Sequence, residues 1–199
     1  MEKIVLNFQG PFRWHGSLEE VVFSQEGIID QPGIYLWCAE QPQGYLVYYV
    51  GETGVSFKYR FEGHAKSYYC GEYSFLNTDE FVQGKRVVVW WGKLRMKENW
   101  ASEFNQKSQE LLPKLVEFLG VMRIFLAPLN VERNIRQRIE STIAAHLKKQ
   151  PEPIGSFIDA DRRHSRELVN NEKILVEVNT PRPIQGISPI FEVQIPKTT

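Results

Sequence analysis

Two apolar runs, Ile34–Ala39 and Tyr45–Val50, are separated by Glu40-Gln41-Pro42-Gln43-Gly44. The runs are rich in β-branched and aromatic residues, and the connection carries turn residues. Together they read as a β-hairpin, entered after the punctuation of Pro32-Gly33. A hairpin commits its side chains to alternate faces, because successive strand residues point in opposite directions. Tyr35 and Tyr49 each lie seven residues from Pro42. A hairpin centred on Pro42 sets these phenols opposite one another on one face of the sheet.

The rest of the chain supplies partners for that hairpin. Residues 1–31 read as an irregular lead-in with one strand, Lys3–Phe8. Phe57, Phe61 and Ala65 recur every four residues, which fits a helix over Thr53–Tyr69, capped by Thr53 or Ser56. Residues 71–85 are polar and read as loop. Val87–Leu94 has the content of a buried strand. Trp100–Leu119 carries a helical stripe of Leu111, Leu112, Leu115, Val116 and Leu119, with Pro113 as a kink or break. Val121–Ala127 is a further strand. Glu132–Lys149 is the clearest helix, with Ile135, Ile139, Ile143 and Leu147 four apart. Two short strands near Ile174–Val178 and Ile190–Val193 close the chain. Strands interleaved with helices give an α+β fold, a small antiparallel or mixed sheet flanked by helices. At 199 residues, a single domain is expected. A core over 33–150 would carry an insertion at 71–118 and a C-terminal β extension over 151–199 packed on it.

Formal net charge is zero, which excludes a global basic field and leaves local patches to contact any polyanion. The start, MEKIVLNFQG, has no long apolar stretch of the signal-peptide kind. The densest apolar run, Val87-Val88-Val89-Trp90-Trp91, is far below the roughly 20 residues a bilayer requires. There are two cysteines, Cys38 and Cys70. They form no CxxC, so neither a zinc site nor a disulfide framework is expected. These features together lead to an expectation of a cytoplasmic protein with no membrane partner.

The chemistry-bearing residues follow from the hairpin. Arg60 and His64 are four apart on the next helix and share a face. That helix starts just after the second strand, so its basic groups overhang the phenols. Phenol, guanidinium and imidazole together suit a phosphate, to which an arginine offers a bidentate fork.

Gly33-Ile34-Tyr35, then Tyr49-Val50-Gly51, then Arg60 with His64, then a helical Glu140, resembles the GIY-YIG nuclease superfamily. The resemblance covers roughly residues 33–70 and 119–150. It implies a divalent-metal-dependent endonuclease that hydrolyses phosphodiester bonds in DNA, with RNA as a second candidate. It implies catalytic Tyr35, Tyr49, Arg60, His64 and Glu140, with Glu140 as sole protein ligand of one Mg²⁺ or Mn²⁺ ion. One carboxylate plus waters and substrate oxygens is an ordinary way to hold Mg²⁺. In this scheme Tyr35 or Tyr49 orients or deprotonates the attacking water. Arg60 neutralises charge on the phosphate, and His64 holds the phosphate or relays a proton. Gly51 lets the backbone pass close to substrate or to a packing helix.

Other readings compete. A nucleic-acid-binding module that kept this fold and lost cleavage is one. Relatives often carry an Asn shortly after the glutamate helix, and 150–156 has none. Glu52-Thr53 also places an acid directly after the second tripeptide. The alternative role of Tyr35 and Tyr49 is as core aromatics of a structural or interaction protein. Glu140 has an alternative ion-pair partner in Arg136, four residues before it. Arg133, Arg136, Arg138, Lys148 and Lys149 on the same helix are candidates for tracking a phosphate backbone. Arg162-Arg163-His164-Arg166, flanked by Asp159, Asp161 and Glu167, reads as a solvated mixed-charge face. Trp90-Trp91 reads as a pair of core strand residues, with stacking on bases as the lesser alternative.

Overall fold

A computed structural model describes residues 3–96, 98–159 and 171–196; the cluster Arg162-Arg163-His164-Arg166 lies outside them. The elements run β1 (Lys3–Asn7), β2 (Gln9–Phe12), β3 (Gly33–Gln41), β4 (Gly44–Thr53), α1 (Phe57–Tyr69), β5 (Phe75–Leu76), α2 (Thr78–Val82), β6 (Val88–Trp90), α3 (Lys93–Met96), α4 (Trp100–Gln106), α5 (Ser108–Val121), β7 (Arg123–Pro128), α6 (Arg133–Lys148), α7 (Ile154–Phe157), β8 (Asn171–Asn179), β9 (Ile184–Gln185) and β10 (Ile190–Pro196). The fold is α+β. A five-stranded mixed sheet, in the order β2-β7-β3-β4-β9, forms its centre. A second sheet, β1-β8-β10, and a ribbon, β5-β6, flank it.

The hairpin of β3 and β4 forms with a two-residue turn, since Gln41 pairs with Gly44. Its register differs from one centred on Pro42. Cys38 pairs with Val47 and Trp37 with Tyr49, which leaves Tyr48 as the extra residue of a β-bulge. Tyr35 therefore faces Gly51, and Tyr49 faces Trp37. The bulge also turns both Tyr48 and Tyr49 to the same side of the sheet.

Each face of the central sheet has its own core. One carries Tyr35, Trp37, Leu46 and Tyr48, packed on Phe57, Phe61 and Tyr68 of α1 and on Leu115 and Phe118 of α5. The other carries Ile34, Leu36, Val47 and Val50, packed on Ile139, Ile143 and Leu147 of α6 and on the β1-β8-β10 sheet. The four-residue spacing in α1 and α6 thus marks the buried faces. Ser56, not Thr53, caps α1, its hydroxyl accepting from the Tyr59 amide.

Three expectations change. The first thirty residues are not merely a lead-in: β1 pairs parallel with β8, and β2 pairs with β7. Residues 71–85 contain β5 and α2, elements too short for a periodic signal. The expected helix over 100–119 divides at Lys107, and α5 runs through Pro113. Among the described residues no helix is long and apolar enough to cross a membrane.

Gly51 is where packing leaves least freedom. A Cβ placed there would fall within the Tyr35 ring, against its Cζ and hydroxyl. The ring cannot retreat, because its hydroxyl is held from the helix above. Overpacking of this kind costs about 1–3 kcal/mol. Urea unfolding of Gly51→Ala should show that loss as a lower midpoint with an unchanged slope; an unchanged midpoint would mean that Tyr35 does not require the gap.

Candidate functional site

The site is built around Tyr35, whose relative exposure is 0 %. Its ring is boxed by Trp37, Phe57 and Phe61. Its hydroxyl oxygen nevertheless has two polar neighbours. Arg60 donates from Nε at 3.1 Å, and His64 Nε2 lies at 2.7 Å. Both come from α1, one turn apart, so one rigid helix presents them together.

The oxygen accepts from Arg60, and it either donates to His64 Nε2 or accepts from it according to the imidazole's tautomer. Nδ1 is buried without a hydrogen-bond partner, as is the indole nitrogen of Trp37. The two rings touch, with centroids 4.7 Å apart. Burial, and then the charge of Arg60, lower the His64 pKa to about 3. Burial, reinforced by Tyr49, pushes the Tyr35 phenol well above its usual value despite the pull of Arg60.

The Tyr35 phenol is sealed from solvent and holds its proton tightly. A neutral imidazole whose Nε2 is engaged by Tyr35 offers no cation to a phosphate. Tyr35 and His64 instead brace Arg60. Arg60 itself is half-buried. Burial works against its charge, but Tyr35, Tyr49 and Tyr73 together raise its hold on its proton.

Tyr49 is the more accessible of the two expected phenols. Its ring centroid is 6.1 Å from that of Tyr35. Burial, and next Glu140, raise its pKa to about 12, while Arg60 lowers it. At pH 7 only about one molecule in 10⁵ then carries the phenolate.

Glu140 is half-buried on α6. Although α6 packs on the other face of the sheet, the charge of Glu140 acts on both Tyr49 and Tyr35. β9 pairs with β4 only at Tyr45 and Leu46, so it does not cover the later residues. There Arg136, 6 % exposed, bonds Glu52 at 3.1 Å and also the Val131 carbonyl. Glu140 lies one turn further along the same side of α6. Glu52, the acid after the second tripeptide, thus anchors α6 to β4. Arg136, expected among the phosphate-tracking cations, is committed to that anchor.

Tyr73, in a segment that reads as loop, was not among the expected site residues. Its ring lies 5.6 Å from His64, and it acts on Arg60. Nothing in the local pattern around it signals this; only the fold of 71–118 brings it in.

The donor set decides which metal is compatible. Among the described residues no three His, Cys, Asp or Glu side chains group to hold an ion. A site of the zinc kind, with three or four protein ligands, does not fit. The remaining candidate is a hard cation that keeps several waters and takes one carboxylate, for which Glu140 would be the ligand.

The lowered His64 pKa carries a pH signature. Between about 3 and 6.5 the unfolded chain binds a proton that the folded chain refuses. Stability from this residue is therefore present above about pH 6.5 and declines as pH falls toward 3. The loss between pH 7 and pH 5 amounts to about 2 kcal/mol. Urea unfolding of wild type and His64→Gln at both pH values should show a shallower decline for the variant; parallel declines would contradict a buried neutral imidazole.

Comparison of the chain with family profiles, with characterised proteins and with solved structures returns no match.

Proposed function

We propose that this chain is a metal-dependent endonuclease of the GIY-YIG type, hydrolysing phosphodiester bonds in DNA. One observation carries the reading. Arg60, Tyr49 and Glu140 come from three separate elements and share one electrostatic neighbourhood, with Arg60 braced by a buried phenol.

The chain's own groups divide the work. Nε of Arg60 is spent on Tyr35 and the guanidinium also bonds Tyr49, so its remaining N–H groups are the donors for non-bridging phosphate oxygens. Their fixed direction offsets charge building on the phosphate without reorganisation. Tyr49 is a neutral phenol at pH 7, suited to hold a water or donate to the phosphate rather than to act unaided as a base. Tyr35 and His64 are positioning residues. Glu140 would hold a Mg²⁺ or Mn²⁺ ion, which when bound supplies Lewis acidity and neutralises the leaving oxygen. Hydrolysis adds water across a P–O bond, leaving a phosphate on one fragment and a hydroxyl on the other.

A second reading keeps the fold as a nucleic-acid-binding module without cleavage. The sealed Tyr35 and neutral His64 favour it, because they leave Tyr49 as the one phenol of the tripeptide pair near solvent.

Plasmid nicking with Mg²⁺ or Mn²⁺ separates the two. The nuclease reading predicts conversion of supercoiled to open-circle DNA by the wild type, abolished in Glu140→Ala. Arg60→Ala should lose about 10²–10³ in rate. Equal background from wild type and Glu140→Ala would remove the enzyme. Salt-sensitive binding without cutting would then support the module, and an RNA substrate in the same assay reports the nucleic acid preferred.

A further inference from the structure

Trp90 and Trp91 part company in the fold. Trp90 is core, its indole nitrogen donating to the Gly71 carbonyl at 2.8 Å. Trp91 is 48 % exposed, directly after the buried Trp90 at the end of β6. The Arg95 guanidinium lies over its ring, 5.4 Å from the centroid. Two residues before Arg95, Lys93 lies 5.9 Å from the centroid of Trp100. Between these cations Leu94 projects with 93 % of its surface open. Two indoles, each with a cation against it, lie ten residues apart or less: Trp91 is open to solvent, and Trp100 is half-buried with one side packed on the core.

This surface is tied to the Arg60 site. The Lys93 amide donates to the Glu72 carbonyl at 2.9 Å. The Gly92 amide donates to the Ser74 hydroxyl at 2.9 Å. Between those anchors is Tyr73, which packs against His64 and acts on Arg60. The patch therefore begins next to a residue of the candidate site.

We propose that Trp91, Arg95, Lys93 and Trp100 form a platform for an unpaired stretch of nucleic acid lying beside the phosphate site. The proposal rests on the nuclease reading for its neighbouring phosphate, and it names single-stranded character in the substrate. The chemistry matches on two counts. Flat bases stack on indole and guanidinium planes regardless of sequence. A polyanionic backbone suits cations on a chain of zero net charge. Lys93 shares its charge with Glu72 at 3.4 Å, whereas among the described residues no carboxylate pairs with Arg95. Arg95 is accordingly the stronger phosphate contact. An anionic membrane would also attract tryptophan, leucine and cations. The cations laid over the indoles and the adjoining Arg60 site favour nucleic acid.

The test is fluorescence anisotropy with the full chain and a labelled oligothymidylate of about 12 nucleotides, without divalent metal. Titrations run at about 50 and 200 mM salt, with a duplex of equal length and phosphatidylserine vesicles as further arms. Wild type should bind the single strand more tightly than the duplex. Trp91→Ala should weaken single-strand binding about 5- to 150-fold, as expected for one lost stacking contact. Trp91→Phe should keep most of the affinity, and Arg95→Glu should lose affinity and flatten the salt dependence. Thermal unfolding of each variant checks that it is folded. Wild-type binding unchanged in both Trp91→Ala and Arg95→Glu overturns the platform. So does failure to bind the oligonucleotide, or preference for the duplex or the vesicles. Plasmid nicking by the same preparations tells the two proposals apart. Nicking without a Trp91 effect on binding removes the platform alone, and a Trp91 effect without nicking removes the nuclease alone.

Discussion

The oxygen of Tyr35 sits beyond the reach of solvent, and a buried hydroxyl without partners costs about 1–3 kcal/mol. Arg60 and His64 satisfy it from one helix. That single arrangement fixes the height of α1 over the sheet. It also fixes the direction of the guanidinium, the neutrality of the imidazole and the need for a glycine at position 51. The glycines flanking the hairpin tyrosines serve packing as much as any substrate. A Cβ at Gly33 would meet the Ala127 carbonyl of the neighbouring strand, as one at Gly51 would meet the phenol itself.

The second constraint is the bulge at Tyr48. A regular register would alternate Tyr48 and Tyr49 between the two cores. With the bulge, Tyr48 packs among Phe81, Phe118 and Phe157 while Tyr49 turns toward Arg60. Bulges commonly re-aim side chains next to functional sites. Here the bulge places a phenol where both Arg60 and the Glu140 charge act on it. The Arg136–Glu52 pair holds α6, the helix that carries Glu140, against β4.

Much of this frame is legible from pattern. The hairpin, α1 and α6 declare themselves because their apolar spacing spans several turns or a whole strand pair. Arg60 and His64 share a face as their spacing demands. What is not legible depends on distant contacts. The bulge adds one residue without a local signature. Arg136 has the composition of a surface cation until Glu52, 84 residues earlier, buries it. β5 and α2 are too short for periodicity. Tyr73 and Trp91 acquire their positions from the packing of 71–118. The burial of Tyr35 and His64 is hidden for the same reason: sequence spacing does not report which phenol meets water.

The central claim is that Glu140 and the Arg60–Tyr49 pair face one phosphate site. Paramagnetic broadening by Mn²⁺, read on the side-chain resonances of Tyr49 and Arg60, tests it without relying on turnover. The account predicts that substoichiometric Mn²⁺ broadens both sets of resonances in the wild type and that Glu140→Gln abolishes the effect. Broadening that persists in Glu140→Gln, or that appears elsewhere and spares Tyr49 and Arg60, would contradict it.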